Sequence, residues 1–286
     1  MSFLSVLLGW WLGGLLEPER KSVCRRLWLG YVDRLRERWV AEAGDTRLGL
    51  LALLLVPLLG LALVQILVHG WLFGLPSLLL GVAVLALCLE PAALEDDIEQ
   101  YRWALSAGHM ERALHFAARL VAGPVPVDPR MQARTVLDAA FLRANEYVFG
   151  VVFWFLLLGP VGAFGYRALA LLRERADALP VAWRALLDPA LEVLEWVPAR
   201  LLALTFAVVG NFDGVMRRVA RRDGRYPIFD QPSDSLLTEA GAGALGCVED
   251  EPLAMLSLAG VAHLLRRSFQ LWLGVLALGG LLALGL

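Results

Sequence analysis

The chain has 286 residues, 58% of them apolar by type and 19% charged, with a formal net charge of −2 and a mean hydropathy of +0.62. Soluble domains carry about 45–50% apolar and about 25% charged residues, and here the excess gathers in blocks near the roughly 20 residues a bilayer requires. That balance excludes a disordered chain, a disulfide scaffold and, with no basic field, a soluble nucleic-acid binder; it describes a membrane protein.

The first block, Met1–Leu16, is short, with no basic stretch before it and no small-residue cleavage pattern after it. It reads as a short anchoring or interfacial helix rather than a removable signal, with Trp10 and Trp11 suited to the headgroup level. Residues 17–47 carry eight Lys/Arg and six Asp/Glu. Leu27, Tyr31, Leu35, Val32 and Trp39 fall near helical spacing among them, as in an amphipathic helix lying against a membrane.

Leu48–Val68 and Trp71–Leu89 are apolar spans separated only by His69 and Gly70, which predicts a helical hairpin. Pro57 and Pro76 are expected inside them, where lipid-embedded helices tolerate proline. Residues 90–146 form a polar insert of cytoplasmic type. Its first helix opens at Pro91, with acidic residues in the early turns to complement the macrodipole, and continues to Ala122. The Pro-rich run 123–129 breaks it, and a second helix starts near Pro129.

Tyr147–Leu172 is the third long block. Gly159-Pro160 interrupts it, and a kink or break is expected there because proline removes a backbone donor. Arg173–Glu195 is amphipathic, with Trp183, Leu186, Leu187, Leu191 and Leu194 on one side. Leu201–Gly210 would give a helix of only about 15 Å, half a bilayer, so it is extended by its flanks, re-entrant, or buried in protein. Residues 211–267 are a second polar segment, and Phe269–Leu286 is the last span. The whole reads as one all-α, polytopic membrane domain over 1–286, with about four transmembrane helices, a half-length or re-entrant segment and amphipathic helices.

The sequence lacks Walker A, GxSxG and HExxH signatures and has no GxGxxG opening after a strand, and its one lysine is Lys21. Cys24, Cys88 and Cys247 show no paired spacing and read as small apolar residues. His109 and His115 lie six apart, about 120° around a helix, and with Glu111 do not form a metal site. The acidic residues from Glu95 to Glu99 read as a helix start rather than a magnesium site. No catalytic residue, metal ligand or cofactor is assigned, and a non-enzymatic role is favoured over a catalytic one. Ionisable groups near membrane depth point instead to a polar pocket formed by Arg143, Asn145, Glu146, Tyr166, Arg167, Arg200, Asn211 and Asp213. The alternative is that Arg143, Arg167 and Arg200 snorkel to headgroups.

Those positions also carry a family resemblance. Asn145–Ala163, leading into Tyr166-Arg167, and Glu195–Leu204, leading into Gly210-Asn211-Phe212-Asp213, resemble AmpE, as does Arg266-Arg267-Ser268-Phe269-Gln270-Leu271-Trp272-Leu273. The resemblance implies a multi-pass protein of the bacterial inner (cytoplasmic) membrane linked to β-lactamase regulation. It implies the bilayer as partner, with a cell-wall-derived small molecule or a regulatory protein as a further one, and no nucleic acid. AmpE is in turn similar to the membrane-bound cobinamide-phosphate synthase, which implies an alternative: ATP- and magnesium-dependent amide ligation. Where that enzyme has Glu-Asn-x-x-Asp before its Phe-Trp pair, this chain reads Leu142-Arg143-Ala144-Asn145-Glu146. Where it has Asn-Thr-Leu-Asp-Ser-Met, this chain reads Leu169-Ala170-Leu171-Leu172.

Overall fold

The computed structural model describes residues 2–15, 25–26, 28–35, 37, 46–68, 74–121, 123–175, 179–220, 231–246 and 254–285. Their regular structure is helical throughout. In chain order the helices are α1 (Ser2–Leu15), α2 (28–35), α3 (Thr46–Val68), α4 (Leu75–Cys88) and α5 (Pro91–Ser106). Next come α6 (Met110–Leu120), α7 (Pro129–Ala144), a π-helical turn (Asn145–Phe149), α8 (Gly150–Leu158) and α9 (Pro160–Arg173). The last four are α10 (Val181–Val209), α11 (Phe212–Ala220), α12 (Ser233–Ala244) and α13 (Ala254–Gly285).

Three described helical stretches are long and apolar enough to cross a membrane: Leu48–Val68, Leu75–Ser106 and Pro129–Leu158. The first is the expected span. Its side chains, Leu59, Leu63, Ile66 and Leu67 among them, are exposed, as lipid-facing residues are. Pro57 lies inside α3, whereas Pro76 sits in the first turn of α4, behind a Gly74 cap at φ 83°. There it forfeits only a donor that the helix leaves unused. The turn at His69-Gly70 lies outside the described residues. The insert's first helix ends earlier than expected: Gly108, at φ 74°, separates α5 from α6. α7 starts where the sequence placed it, with Pro129 in its first turn and the Asp128 carboxylate accepting from Met131 N at 3.1 Å.

The chain forms two compact units, 1–90 with 150–194, and 91–149 with 195–286. In the first, α1 lies along α4, and Gly9 and Gly13 face Leu85 and Ala86. Trp28, Leu29 and Val32 of α2 join Leu50, Leu53, Leu171, Leu172, Trp183 and Leu187 in one buried cluster. The apolar face of α2 is thus used up inside the protein rather than on a membrane surface. Leu27 and Trp39 lie outside the described residues.

The third block is not one kinked span. Gly159 takes a positive φ of 70°, Pro160 restarts the helix, and α9 folds back along α8. A Cβ at Gly162 would collide with the Trp154 carbonyl, and one at Gly150 would lie 2.5 Å from the Tyr166 ring. Contacts between residues eight and sixteen apart require a reversal. Proline and glycine permit both a kink and a full turn, and small residues at the crossing favour the turn.

A reversal leaves backbone donors at the start of α9 without helical partners. Gln65, the one amide in α3, meets one of them: its Oε1 accepts from Val161 N at 3.4 Å. Gln65→Leu is expected to destabilise the protein by about 1 kcal/mol by stranding that donor. Denaturant titration in detergent, with Gln65→Glu as the variant that keeps an acceptor, checks this.

In the second unit α11 crosses α12 at Gly214 and Gly243, and Gly241 of α12 seats the Phe141 ring of α7. The apolar run 201–210 is no separate half-length element. It is the end of α10, a continuous helix of 29 residues, so the flanks extend it and the re-entrant alternative is corrected. The last apolar block forms the outer part of α13, where Val275, Leu278, Leu281 and Leu282 are exposed.

Candidate functional site

The first unit holds Tyr166 and Arg167. Arg167 is only 3% exposed, and α9 aims it at Glu90, just past the end of α4. Its Nη2 lies 3.0 Å from Glu90 Oε2 and its Nη1 3.4 Å from Glu174 Oε1. Arg25 completes the chain, with Nη2 2.6 Å from Glu174 Oε2. Two guanidiniums and two carboxylates thus alternate. A lone buried charge costs several kcal/mol, and only close, hydrogen-bonded opposite charges offset it. Glu90, Glu174 and Arg25 escaped the sequence reading because Arg167 finds Glu90 77 positions away. The only available hint was that an arginine in an apolar helix needs carboxylates somewhere.

Beside this network lies a cavity of about 390 Å³. α3 contributes Val56 and Pro57, α4 contributes Val84 and Leu87, and α9 contributes Phe164 and Leu171. Arg25, Glu90 and Arg167 bring charge to the otherwise apolar wall, and Trp28 and Tyr31 of α2 add two aromatic side chains. Burial pushes the Tyr31 phenol above its ordinary value, so it is protonated at neutral pH and can donate.

Tyr166 packs its ring over Gly150. Gly150→Val should therefore push the ring off the α8 backbone and disturb Arg167 next to it. A loss of about 1–3 kcal/mol is expected from overpacking, checked by thermal unfolding of purified protein against Gly150→Ala as the milder step.

The second unit holds the other candidates. Arg143, 8% exposed, places Nη1 2.7 Å from Glu146 Oε2 and donates from Nε to the Leu120 carbonyl at 3.0 Å. Its guanidinium also lies 5.6 Å from the centre of the Tyr147 ring. Asn145 opens the π-helical turn and is buried, and its Oδ1 has no hydrogen-bond partner among the described residues. Such turns insert a residue into a helix and recur at functional sites.

Arg200 has different company in the same unit. It stacks 4.1 Å from the centre of the Trp196 ring and donates to the carbonyls of Trp196 at 2.9 Å and Gln231 at 2.8 Å. Snorkelling does not describe Arg143, Arg167 or Arg200, since each is buried with partners inside the protein. Asn211 and Asp213 are exposed at the start of α11, where Asn211 Oδ1 accepts from Gly214 N at 3.0 Å. They have the setting of a helix start.

Within the first unit Tyr166 and Arg167 are neighbours in α9; within the second, Arg143 pairs with Glu146, Arg200 stacks on Trp196, and Asn211 and Asp213 lie at the start of α11. His109 stands just before α6 with no side-chain capping bond, its ring 5.7 Å from that of Trp103, and His115 is exposed. No group of three His, Cys, Asp or Glu side chains able to hold a metal occurs among the described residues.

Helices of membrane-spanning length together with buried arginine–carboxylate pairs define a helical membrane-type protein. The chain belongs to the AmpE family: the description "Regulatory signalling modulator protein AmpE" matches residues 32–217. That segment contains both central motifs. The chain is 29% identical over 180 residues to the "Cobalamin biosynthesis protein CobD" of Chromobacterium violaceum, covering 59% of this chain and 55% of the other. To the protein of the same name from Stutzerimonas stutzeri it is 30% identical over 132 residues, 43% of this chain and 40% of that one. To "Protein AmpE" of Shigella flexneri it is 26% identical over 152 residues, 50% and 54% of the two chains. The matches thus span about half the length of these relatives. No solved structure matches.

Proposed function

We propose that the protein is an inner-membrane regulatory or signalling protein that takes part in the β-lactam response and in control of β-lactamase expression. The family match over residues 32–217 carries this reading. The structure adds support of a physical kind. Buried Arg167 and Arg143 are tied to carboxylates, an arrangement that holds a helical scaffold together. The partner would be a cell-wall-derived small molecule or a regulatory protein reached from the bilayer. In a strain with an inducible β-lactamase, deleting the gene is expected to alter the ratio of induced to basal activity, and a plasmid copy to restore it. An unchanged ratio would remove the support for this reading.

Similarity to CobD favours a second reading, a membrane enzyme joining an amine to a carboxylate at the expense of ATP. Magnesium would have to be held by carboxylates or amides. The residues present do not fit. Glu146, nearest to the position of the synthase's acidic motif, is engaged by Arg143 at 2.7 Å, and the described residues offer no metal-holding cluster. Incubating purified protein with ATP, magnesium and cobyric acid tests this reading directly, and ADP release dependent on the acid would support it.

A further inference from the structure

We propose that the cavity of the first unit binds a single-chain amphiphile, its acyl chain inside and its oxygen-rich head against Arg25. This goes beyond the regulatory reading and stands independently of it. The lining fixes the tail: Val56, Val84, Leu87, Phe164 and Leu171 present a continuous apolar surface. A volume of about 390 Å³ is within the roughly 300–1,000 Å³ of small-molecule sites. Two of the walls, α3 and α4, belong to stretches of membrane-crossing length, so an amphiphile dissolved in the bilayer could reach it.

The hydrogen-bond inventory fixes the head. Arg167 and Glu90 already face each other at 3.0 Å, and Arg167 reaches Glu174 as well. Arg25 is different. Its side chain is 44% exposed and places Nη2 against one Glu174 oxygen, while a guanidinium offers five donors. Trp28 is 9% exposed, and its ring packs edge-on to Phe164 with centroids 5.5 Å apart. Its Nε1 is fully buried, so the ring meets the cavity with its apolar surface. Arg25 therefore supplies the spare donors, and a ligand that matches it brings acceptor oxygens. A fatty-acid carboxylate and a lysolipid phosphate share that chemistry.

The test is native mass spectrometry of the full chain released from a neutral maltoside detergent, titrated with oleate, with oleoyl-lysophosphatidylglycerol and with uncharged monoolein. One oleate or one lysolipid retained per chain is expected, and whichever is held more tightly identifies the head. Val84→Trp fills the cavity and should abolish retention. Arg25→Gln is at the exposed end and should fold normally even if the filled variant does not. It should weaken binding of the charged probes about tenfold, the effect of one charge-assisted hydrogen bond. Non-saturable uptake, retention unchanged in both variants, or monoolein held as tightly as oleate would each overturn the assignment.

Discussion

Replacing Arg167 by methionine is expected to destabilise the protein by about 3–5 kcal/mol, the cost of breaking a buried ion pair from one side. Glu90 and Glu174, which lie 3.0 and 3.4 Å from the guanidinium, would lose their shared cation, leaving Glu174 to Arg25. Methionine fills much of the volume, so the loss isolates charge from packing. The measurement is reversible unfolding in mixed micelles. The triple variant Arg167→Met, Glu90→Gln, Glu174→Gln should recover most of the loss, because neutral amides cost far less to bury than unpaired carboxylates. A single variant within about 0.5 kcal/mol of the parent, the range of ordinary surface changes, would mean that the network carries no stability.

The second large effect is expected at the crossing of α11 and α12. A Cβ at Gly243 would lie 2.7 Å from Gly214 O and from Val215 Cα. Both neighbours are backbone, so no side chain can rotate aside. Gly243→Leu should cost about 3 kcal/mol, the upper end of overpacking penalties. Gly279→Ala in α13 is the control, since a Cβ there meets nothing within 4 Å. It should be neutral or stabilising by about 0.5–1 kcal/mol from helix propensity alone. If both substitutions behave alike in thermal unfolding, the close crossing is refuted.

Local signals survived the passage from sequence to structure, and long-range ones did not. Pro129 announces the start of α7 because a proline fits the first turn of a helix. The face of α10 carrying Trp183, Leu187 and Leu191 is legible from its spacing, and all three are buried. Gly159-Pro160 announces a break, but direction is set by what packs across it, and Gly150, Gly162 and Tyr166 settle on reversal. α2 was assigned to the membrane surface since an amphipathic helix looks the same against lipid or protein.

The site follows the same division. The apolar surroundings of Arg143, Arg167 and Arg200 allowed both burial and snorkelling, and only Arg143–Glu146, a local i,i+3 pair, has a partner close in sequence that could have favoured burial. The partners Glu90 and Glu174 are not spelled out by any motif, and Gln65 looked like a blemish in an apolar span. Asn211 and Asp213 were drawn into the expected pocket as polar residues close to Arg200 in the sequence. Their structural setting is a helix cap.

Regulation of the β-lactam response by this AmpE-family chain is what we propose. The measurement that tests it most directly is β-lactamase activity, with and without a β-lactam inducer, in a deletion strain carrying the wild-type gene, Arg167→Met or an empty plasmid. A changed induction ratio with the empty plasmid, restored by the wild-type gene and not by Arg167→Met, is the predicted result. The same induction in all three strains, with cobalamin synthesis lost in the deletion, would contradict it.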